Sequence, residues 1–251
     1  MRREAALRSS EVGVVLAHGA WADGSSWARV IGPLITAGHE VSAASLPLTS
    51  FEADVAAVER ALERVTGPIA LVAHAYAGAV IAAARNERVQ ALVYITALAP
   101  DEGETVGDVF NRAPPHARAP RLSPDTHGLI YLPESAFAEA FAPNATAEEQ
   151  ALLAAVQRPI SPACITTRVP RPRWRDLPSW FLIAEQDYMI LPETQRFMAQ
   201  RMRARVRTQE VDHTPSVTAP TVVVETIREA IAEVGPRQAQ PQGCPQPFNP
   251  T

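Results

Sequence analysis

Short apolar runs alternate with amphipathic segments along most of this chain. Strands are predicted at 11–18, 40–46, 89–98, 179–184 and 205–211, and a further strand begins at 69 and ends in a turn at 73–78. Between them, apolar residues recur every three or four positions, as in helices that face a core. Nearly continuous apolar strands are typical of a parallel sheet covered on both faces, and strand–helix alternation favours right-handed crossovers. The pattern therefore predicts an α/β fold with a mostly parallel, doubly wound sheet and helices on both faces.

The alternation stops between 101 and 178. This stretch is dense in proline and favours only short helices, one of which opens with Thr146 and Glu149 at the spacing of a capping box. A structureless loop of this length is uncommon in a compact domain, so we interpret the stretch as an inserted helical lid. The Pro- and Gln-rich end of the chain has too little apolar content to fold. The predicted organisation is an N-terminal extension (1–10), an α/β core (11–100 and 179–234), the lid (101–178) and a disordered tail (235–251).

Composition and charge narrow the class of protein. With 251 residues and 47% hydrophobic content, the chain is long enough for one α/β domain with an insertion. Its net charge of -4 and isoelectric point near 5.9 argue against nucleic acid as a partner. No stretch has the roughly 18 apolar residues of a membrane span. The first ten residues lack the apolar segment of a signal peptide and only two cysteines are present, so we expect a cytoplasmic protein without a membrane partner.

The segment 69–85 is typical of a short strand, an abrupt turn and a helix of small residues. Its turn, Ala73-His74-Ala75-Tyr76-Ala77-Gly78, has the spacing of a nucleophile elbow. Small residues are required two positions from the centre because larger side chains would collide with the backbone of this strained turn. The central position, where the chemistry needs Ser, Cys or Asp, is Ala75. Its methyl group cannot attack a carbonyl, so the motif predicts the fold and not the usual activity.

Four loops are expected to meet at the carboxyl ends of the strands, where ligands bind in open parallel sheets. They carry Ala20, Ala75, Asp187 and His213, and the order of nucleophile position, acid and histidine is that of α/β-hydrolases. In the ordinary mechanism His213 acts as the base, and Asp187 holds its tautomer and stabilises the imidazolium. The backbone N–H groups of Ala20 and Tyr76 would then hold the oxyanion.

Further landmarks follow in a fixed order along the chain. They are His18-Gly19-Ala20-Trp21, Leu46-Pro47-Leu48-Thr49-Ser50, the elbow, Ala99-Pro100-Asp101-Glu102-Gly103-Glu104, Asp187 with Gln195, and His213-Thr214-Pro215. Together they resemble the α/β-hydrolase superfamily, and most of all its small esterases, plant-type methylesterases and hydroxynitrile lyases. The resemblance implies an α/β-hydrolase fold, oxyanion donors at Ala20 and Tyr76, an acid at Asp187 and a base at His213. It also implies a serine where this chain has Ala75.

The ligand is expected to be a small molecule. A proline-rich lid with aromatic residues, and a surface without a charge pattern, suit a small, largely apolar substrate better than a polymer. Substrate contacts are predicted for Trp21, His18, His74, Tyr188 and Tyr131. No cofactor and no metal are expected, because neither a ligand-spaced His/Cys/Asp cluster nor a phosphate-binding loop is found. The oligomeric state is left open.

Four explanations of Ala75 remain open at this point. It is an introduced substitution in a serine hydrolase, or the chain is a natural enzyme that uses His213 and Asp187 as a general base on water or on an acidic substrate proton. The second explanation leaves a lyase, an isomerisation or a cofactor-free oxygenation open as the reaction. Alternatively, the chain is a non-catalytic binding protein, or another residue supplies the nucleophile. Candidates for that residue are Ser25, Ser45 and Cys164. General-base catalysis contributes roughly 10²- to 10⁴-fold by itself, so a missing nucleophile does not exclude catalysis.

Overall fold

A six-stranded parallel sheet organises the computed structural model, which describes residues 12–234. The strands are β1 (Gly13–Ala17), β2 (Val41–Ala44), β3 (Ile69–His74), β4 (Val89–Ile95), β5 (Ser179–Ala184) and β6 (Arg205–Gln209). Their order is β2-β1-β3-β4-β5-β6, and all five neighbouring pairs are parallel. The predicted fold class is confirmed. The predicted extension (1–10) and tail (235–251) lie outside the described residues.

Helices connect the strands and fill the insertion. They are α1 (Ala28–Thr36), α2 (Phe51–Leu62), α3 (Ala77–Ala83), α4 (Val106–Phe110), α5 (Glu134–Ala136), α6 (Ala147–Val156), α7 (Pro162–Thr166), α8 (Pro192–Arg201), α9 (Pro215–Thr218) and α10 (Pro220–Val234). Polar side chains cap several of them, as the sequence predicts. The Ser50 hydroxyl accepts a hydrogen bond from the Ala53 N–H at the start of α2, and Thr146 and Glu149 form the capping box of α6.

Two apolar layers enclose the sheet. Alternate strand residues such as Val14 and Val72 pack on one face beneath α1 and α10. The residues between them, such as Val15 and Leu71, pack on the other face with α2, α3 and α8. Because successive side chains of a strand point to opposite faces, a sheet covered on both sides needs apolar residues at nearly every position. This accounts for the continuous apolar runs in the sequence.

Four strands end earlier than the sequence predicts, and the turns that stop β4 and β6 bear on the site. β4 stops at Ile95 and not at Leu98, because Thr96 takes the left-handed conformation with φ of 46°. The chain then turns, and the Leu98 N–H donates to the Ala75 carbonyl at 2.9 Å instead of continuing the sheet. β6 stops at Gln209, where a tight turn is closed by a hydrogen bond from Val211 N–H to the Gln209 carbonyl. Both turns carry the chain toward the same edge of the sheet.

The insertion between β4 and β5 contains α4 to α7 and two antiparallel bridges. Thr105 pairs with Arg168, and Ile130 pairs with Ile160, so the segment folds back on itself. A π-helical turn, Phe137–Phe141, continues α5. Within residues 12–234, no helix combines the length and apolar character needed to cross a bilayer.

Candidate active site

The turn after β3 has a strained backbone with Ala75 at its apex. Ala75 has φ of 48°, in the left-handed region that non-glycine residues seldom adopt. A Cβ at Gly78 would lie 2.3 Å from the Leu98 carbonyl oxygen, so only glycine fits at that position. Ala73 and Ala77 are fully buried. The small residues therefore allow the sharp strand-to-helix turn, and Ala75 presents only a methyl group.

Asp187 and His213 form a buried pair beside this turn. His213 Nδ1 lies 2.9 Å from Asp187 Oδ2, and both side chains are almost wholly buried. The other carboxylate oxygen, Oδ1, accepts the N–H groups of Met189 at 2.8 Å and Ile190 at 2.9 Å. With the carboxylate ionised, His213 Nδ1 carries the proton and donates it to Oδ2. Nε2 is then the basic nitrogen, on a residue that lines the same cavity as Ala75.

Gln195, on α8, holds the acid in place. Its Nε2 donates to Asp187 Oδ2 at 2.8 Å and to the Ile190 carbonyl at 2.7 Å, while its Oε1 accepts the Ala184 N–H at 3.0 Å. The side chain is fully buried, so each of these bonds replaces one to water. The side-chain amide of Gln195 therefore joins the end of β5, the loop that carries Asp187, and α8.

The backbone of His213 is fixed by two side chains from neighbouring strands. His74 Nε2 donates to the His213 carbonyl at 2.7 Å, and Thr96 Oγ1 donates to the same oxygen at 3.0 Å. Burial, reinforced by the nearby His213 ring, lowers the pKa of His74 to about 3, so this imidazole is neutral. Its Nδ1 has no hydrogen-bond partner among the described residues. Sequence reasoning missed Thr96, since no local pattern marks a strand-end threonine as a contact of a loop 117 residues away.

His18 supports the loop after β1. Its Nε2 accepts the Leu46 N–H at 3.1 Å, so Nδ1 carries the proton and donates to the Gly19 carbonyl at 2.9 Å. Burial lowers the pKa of His18 to about 4. Both ring nitrogens are therefore committed to the backbone, and the side chain connects the β1 loop to the segment after β2.

Two backbone amides lie beside Ala75. Ala20 and Tyr76 both line the cavity, and among residues 12–234 neither N–H donates to a backbone carbonyl. The adjacent Trp21 is in the left-handed conformation with φ of 57°. Its N–H donates to the Arg158 carbonyl at 3.1 Å, and its ring Nε1 donates to the Ile130 carbonyl at 3.0 Å. The insertion thus holds the loop that presents Ala20.

The cavity measures about 230 Å³, and its wall is mostly apolar. Half of the lining comes from the insertion and half from the core. The lining residues are Ala20, Trp21, Ala75, Tyr76, Leu98, Val106, Gly107, Phe110, Asn111, Leu122, Ile130, Ile160, Ile165, Met189, Ile190 and His213. The polar groups of the lining side chains are those of His213, the Tyr76 phenol, the Trp21 indole N–H and the Asn111 amide.

Four residues predicted to contact substrate do not line this cavity. His18 and His74 are buried behind it, where both ring nitrogens of His18 and the Nε2 of His74 bond to the backbone. Tyr131 is 47% exposed, although its neighbour Ile130 faces inward. Tyr188 stacks on His116 with ring centroids 4.4 Å apart, outside the lining. Of the five predicted contacts, the structure places only Trp21 in the cavity wall.

The alternative nucleophiles also lie elsewhere. Ser25 and Ser45 are exposed, and neither lines the cavity. Cys164 is buried outside the lining, and burial raises the pKa of its thiol to about 12. The carboxylate of Asp212 accepts hydrogen bonds from Asn144 of the insertion and from Thr218 of α9, and makes none to the His213 ring. Within the described part of the chain, no group of three or more metal-ligating side chains is present.

Comparisons with known proteins identify the family of this chain. The model of the alpha/beta hydrolase family matches residues 14–226. The chain belongs to that family. No curated protein sequence matches the chain.

Solved structures of an esterase and of two other hydrolases share the fold of this alpha/beta hydrolase. Polyneuridine aldehyde esterase is 17% identical with a TM-score of 0.75, over 87% of this chain and 98% of that chain. A pyrethroid hydrolase from Sphingobium faniae is 21% identical with a TM-score of 0.75, over 88% and 97% of the two chains. An extracellular α/β-hydrolase from a Paenibacillus species is 19% identical with a TM-score of 0.72, over 87% and 98%. At these identities the likeness concerns the fold.

Proposed function

We propose that this alpha/beta hydrolase binds a small, largely apolar carboxylic ester and activates its carbonyl group. The observation that carries the proposal is the Asp187–His213 pair, with Nδ1 and Oδ2 2.9 Å apart and His213 facing the cavity beside Ala75. The mostly apolar wall favours an uncharged substrate of limited size. The esterase-like neighbours support the ester class.

The roles of the groups follow from their chemistry. His213 Nε2 takes a proton from water, and the resulting hydroxide adds to the ester carbonyl carbon. The oxyanion that forms accepts hydrogen bonds from the Ala20 and Tyr76 N–H groups. When the intermediate collapses, the C–O bond to the alcohol breaks and the leaving oxygen takes the proton from His213. Asp187 stabilises the imidazolium throughout.

Ala75 determines which route is open. A serine at this position would lose its proton to His213 and form an acyl-enzyme, which a methyl group cannot do. With Ala75 the water route remains, and general-base catalysis alone contributes roughly 10²- to 10⁴-fold. The site is thus a serine-hydrolase site that lacks its nucleophilic oxygen, whether alanine at this position is natural or introduced.

The test compares hydrolysis of p-nitrophenyl butyrate by the chain, by Ala75→Ser, and by each combined with His213→Ala. We expect Ala75→Ser to raise His213-dependent turnover by about 10²-fold or more, because only the nucleophile is missing. A serine variant that stays at the His213→Ala background would contradict an ester-hydrolase site. Ester binding that survives His213→Ala, without His213-dependent turnover in either form, would show a binding protein instead.

A further inference from the structure

Asp54 lies behind the cavity wall, where it joins three separate segments. Its Oδ2 accepts the Tyr76 hydroxyl at 2.8 Å and lies 3.6 Å from Cys164 Sγ. Its Oδ1 accepts the Leu48 N–H at 2.7 Å. The residue is on α2, whereas its partners are in the elbow, in α7 of the insertion and in the loop after β2. One carboxyl group therefore accepts three hydrogen bonds, and the one from Cys164 crosses the core–insertion boundary.

A carboxyl group is uncommon at a fully buried position such as that of Asp54. Asp54 is fully buried, and among the ion pairs of residues 12–234 none involves it. Burying an acidic group without a cation is costly unless hydrogen bonds compensate for the lost water. Burial also raises the pKa of Asp54 above its ordinary value, although its hydrogen bonds and the charge of Arg158 act in the opposite direction. Because burying this carboxyl group costs free energy, we look for its role in the segments that its hydrogen bonds hold in place.

The hydrogen bond to Asp54 restrains the side chain of Tyr76. Tyr76 directly follows Ala75, its side chain is almost wholly buried, and it lines the cavity. In the proposed function its N–H is one of the two oxyanion donors. The bond to Asp54 fixes the far end of the ring, so the side chain is restrained at both ends, and the peptide plane that carries the N–H is restrained with it.

The contact with Cys164 extends this arrangement to the insertion. Cys164 is fully buried in α7, and the next residue, Ile165, lines the cavity. A ligand that packs against Ile165 therefore contacts a helix whose thiol rests on Asp54. Two side-chain contacts, Cys164 to Asp54 and Asp54 to Tyr76, therefore connect α7 to the residue whose N–H is the proposed oxyanion donor.

We propose that Asp54 is a positioning residue that holds the Tyr76 N–H in the geometry of an oxyanion donor and couples it to α7. The inference rests on the proposed function, because it concerns an oxyanion donor. The effect of Asp54 on kcat is measured in the Ala75→Ser background, in which we expect measurable turnover. Removing one oxyanion donor typically lowers kcat by roughly 10²- to 10³-fold, and a misplaced donor costs less, roughly 10- to 10²-fold.

The central variants are Asp54→Leu and Asp54→Asn. Leucine has a similar volume without an acceptor, so we expect kcat to fall roughly 10- to 10²-fold while KM stays nearly unchanged. Asparagine keeps an acceptor for Leu48 and offers its N–H to the Tyr76 oxygen, so most of kcat should return. The matched control is Glu52→Leu, an exposed acidic position in the same first turn of α2. It should leave both constants unchanged.

Two results of this series would overturn the positioning role. One is an Asp54→Leu enzyme with the kcat of its parent. The other is an Asp54→Asn enzyme as slow as Asp54→Leu, which would show that the charge matters and not the geometry. If Asp54→Leu fails to fold, Tyr76→Phe takes its place, because it removes the same bond and keeps the ring. A normal kcat in Tyr76→Phe would equally overturn the role.

A second measurement needs no turnover and separates this inference from the proposed function. In the chain with Ala75, Asp54→Leu should move the amide resonance of Tyr76 in a ¹H–¹⁵N NMR spectrum, and Glu52→Leu should not. If Ala75→Ser proves inactive, the ester-hydrolase proposal fails, yet a displaced Tyr76 resonance still supports the positioning role. An unmoved resonance in Asp54→Leu overturns it, whatever the activity.

Discussion

Gly78 is the position where the elbow has least tolerance for a larger residue. A Cβ there would lie 2.3 Å from the Leu98 carbonyl oxygen, 3.0 Å from the Ala97 Cβ and 3.1 Å from the Tyr94 ring. The nearest contact is a backbone atom and cannot rotate away. The Leu98 N–H is itself bonded to the Ala75 carbonyl, so relief of the clash must move the elbow or the turn after β4.

The expected cost of Gly78→Ala follows from two opposing effects. Overpacking a close-packed core costs typically about 1–3 kcal/mol, and a clash with backbone belongs at the upper end. Alanine is favoured over glycine inside a helix by about 1 kcal/mol, and Gly78 lies in α3, so this part is regained. We expect the free energy of unfolding to fall by about 2 kcal/mol. For a chain of this size that lowers the melting temperature by roughly 4–8 °C.

Urea unfolding followed by circular dichroism, with thermal scans alongside, measures this change. The matched control is Gly24→Ala, where the added Cβ would meet only the Ala43 Cβ at 3.7 Å, an ordinary contact. That variant should be as stable as the parent or up to about 1 kcal/mol more stable. A Gly78→Ala protein as stable as Gly24→Ala would refute the account of the elbow given above, because the clash would then have no energetic consequence.

Two further predictions concern the acid and the buried histidines. In the Ala75→Ser background, Asp187→Asn should lower kcat by up to about 10⁴-fold at unchanged stability, because the amide favours the wrong His213 tautomer. Ester hydrolysis kinetics measure this change. A variant with the kcat of its parent would show that Asp187 has no part in the mechanism. The pKa values of His18 and His74 are lowered to about 4 and about 3, so from about pH 6.5 downward the unfolded chain binds protons that the folded protein does not. Stability should therefore fall between about pH 6.5 and 4, by up to about 1.4 kcal/mol per pH unit for each histidine, as measured by urea unfolding. His18→Asn should flatten this dependence, and an unchanged slope would contradict it.

Much of the fold could be predicted from local patterns. A parallel sheet buried on both faces demands apolar residues at successive positions, so the strands are visible as runs such as Ile69–His74. The caps at Ser50 and Thr146 use side chains that bond within the next three residues, so they too are local. The elbow was recognisable because the close approach of α3 to the turn after β4 permits only small residues, whatever residue stands at its apex.

Sequence order alone also brought Asp187 and His213 to one edge of the sheet, because the carboxyl ends of parallel strands meet there. It did not determine which neighbouring side chains face the cavity. Ile130 points inward while the next residue, Tyr131, is exposed, and no periodicity marks the difference in a segment without regular structure. The direction of a side chain in such a loop depends on its packing partners, and the partner of Ile130 is the bridge to Ile160.

The contacts that support the site were decided only by the tertiary structure. Asp54 reaches Tyr76 across 22 positions and Cys164 across 110, while His74 reaches the His213 carbonyl across 139. Periodicity reports on neighbours within a few residues, whereas these bonds exist because crossovers and the insertion bring distant segments together. Hydrophobic patterning therefore specified which layers form, and only the packed molecule specified which polar groups are left inside to bond one another.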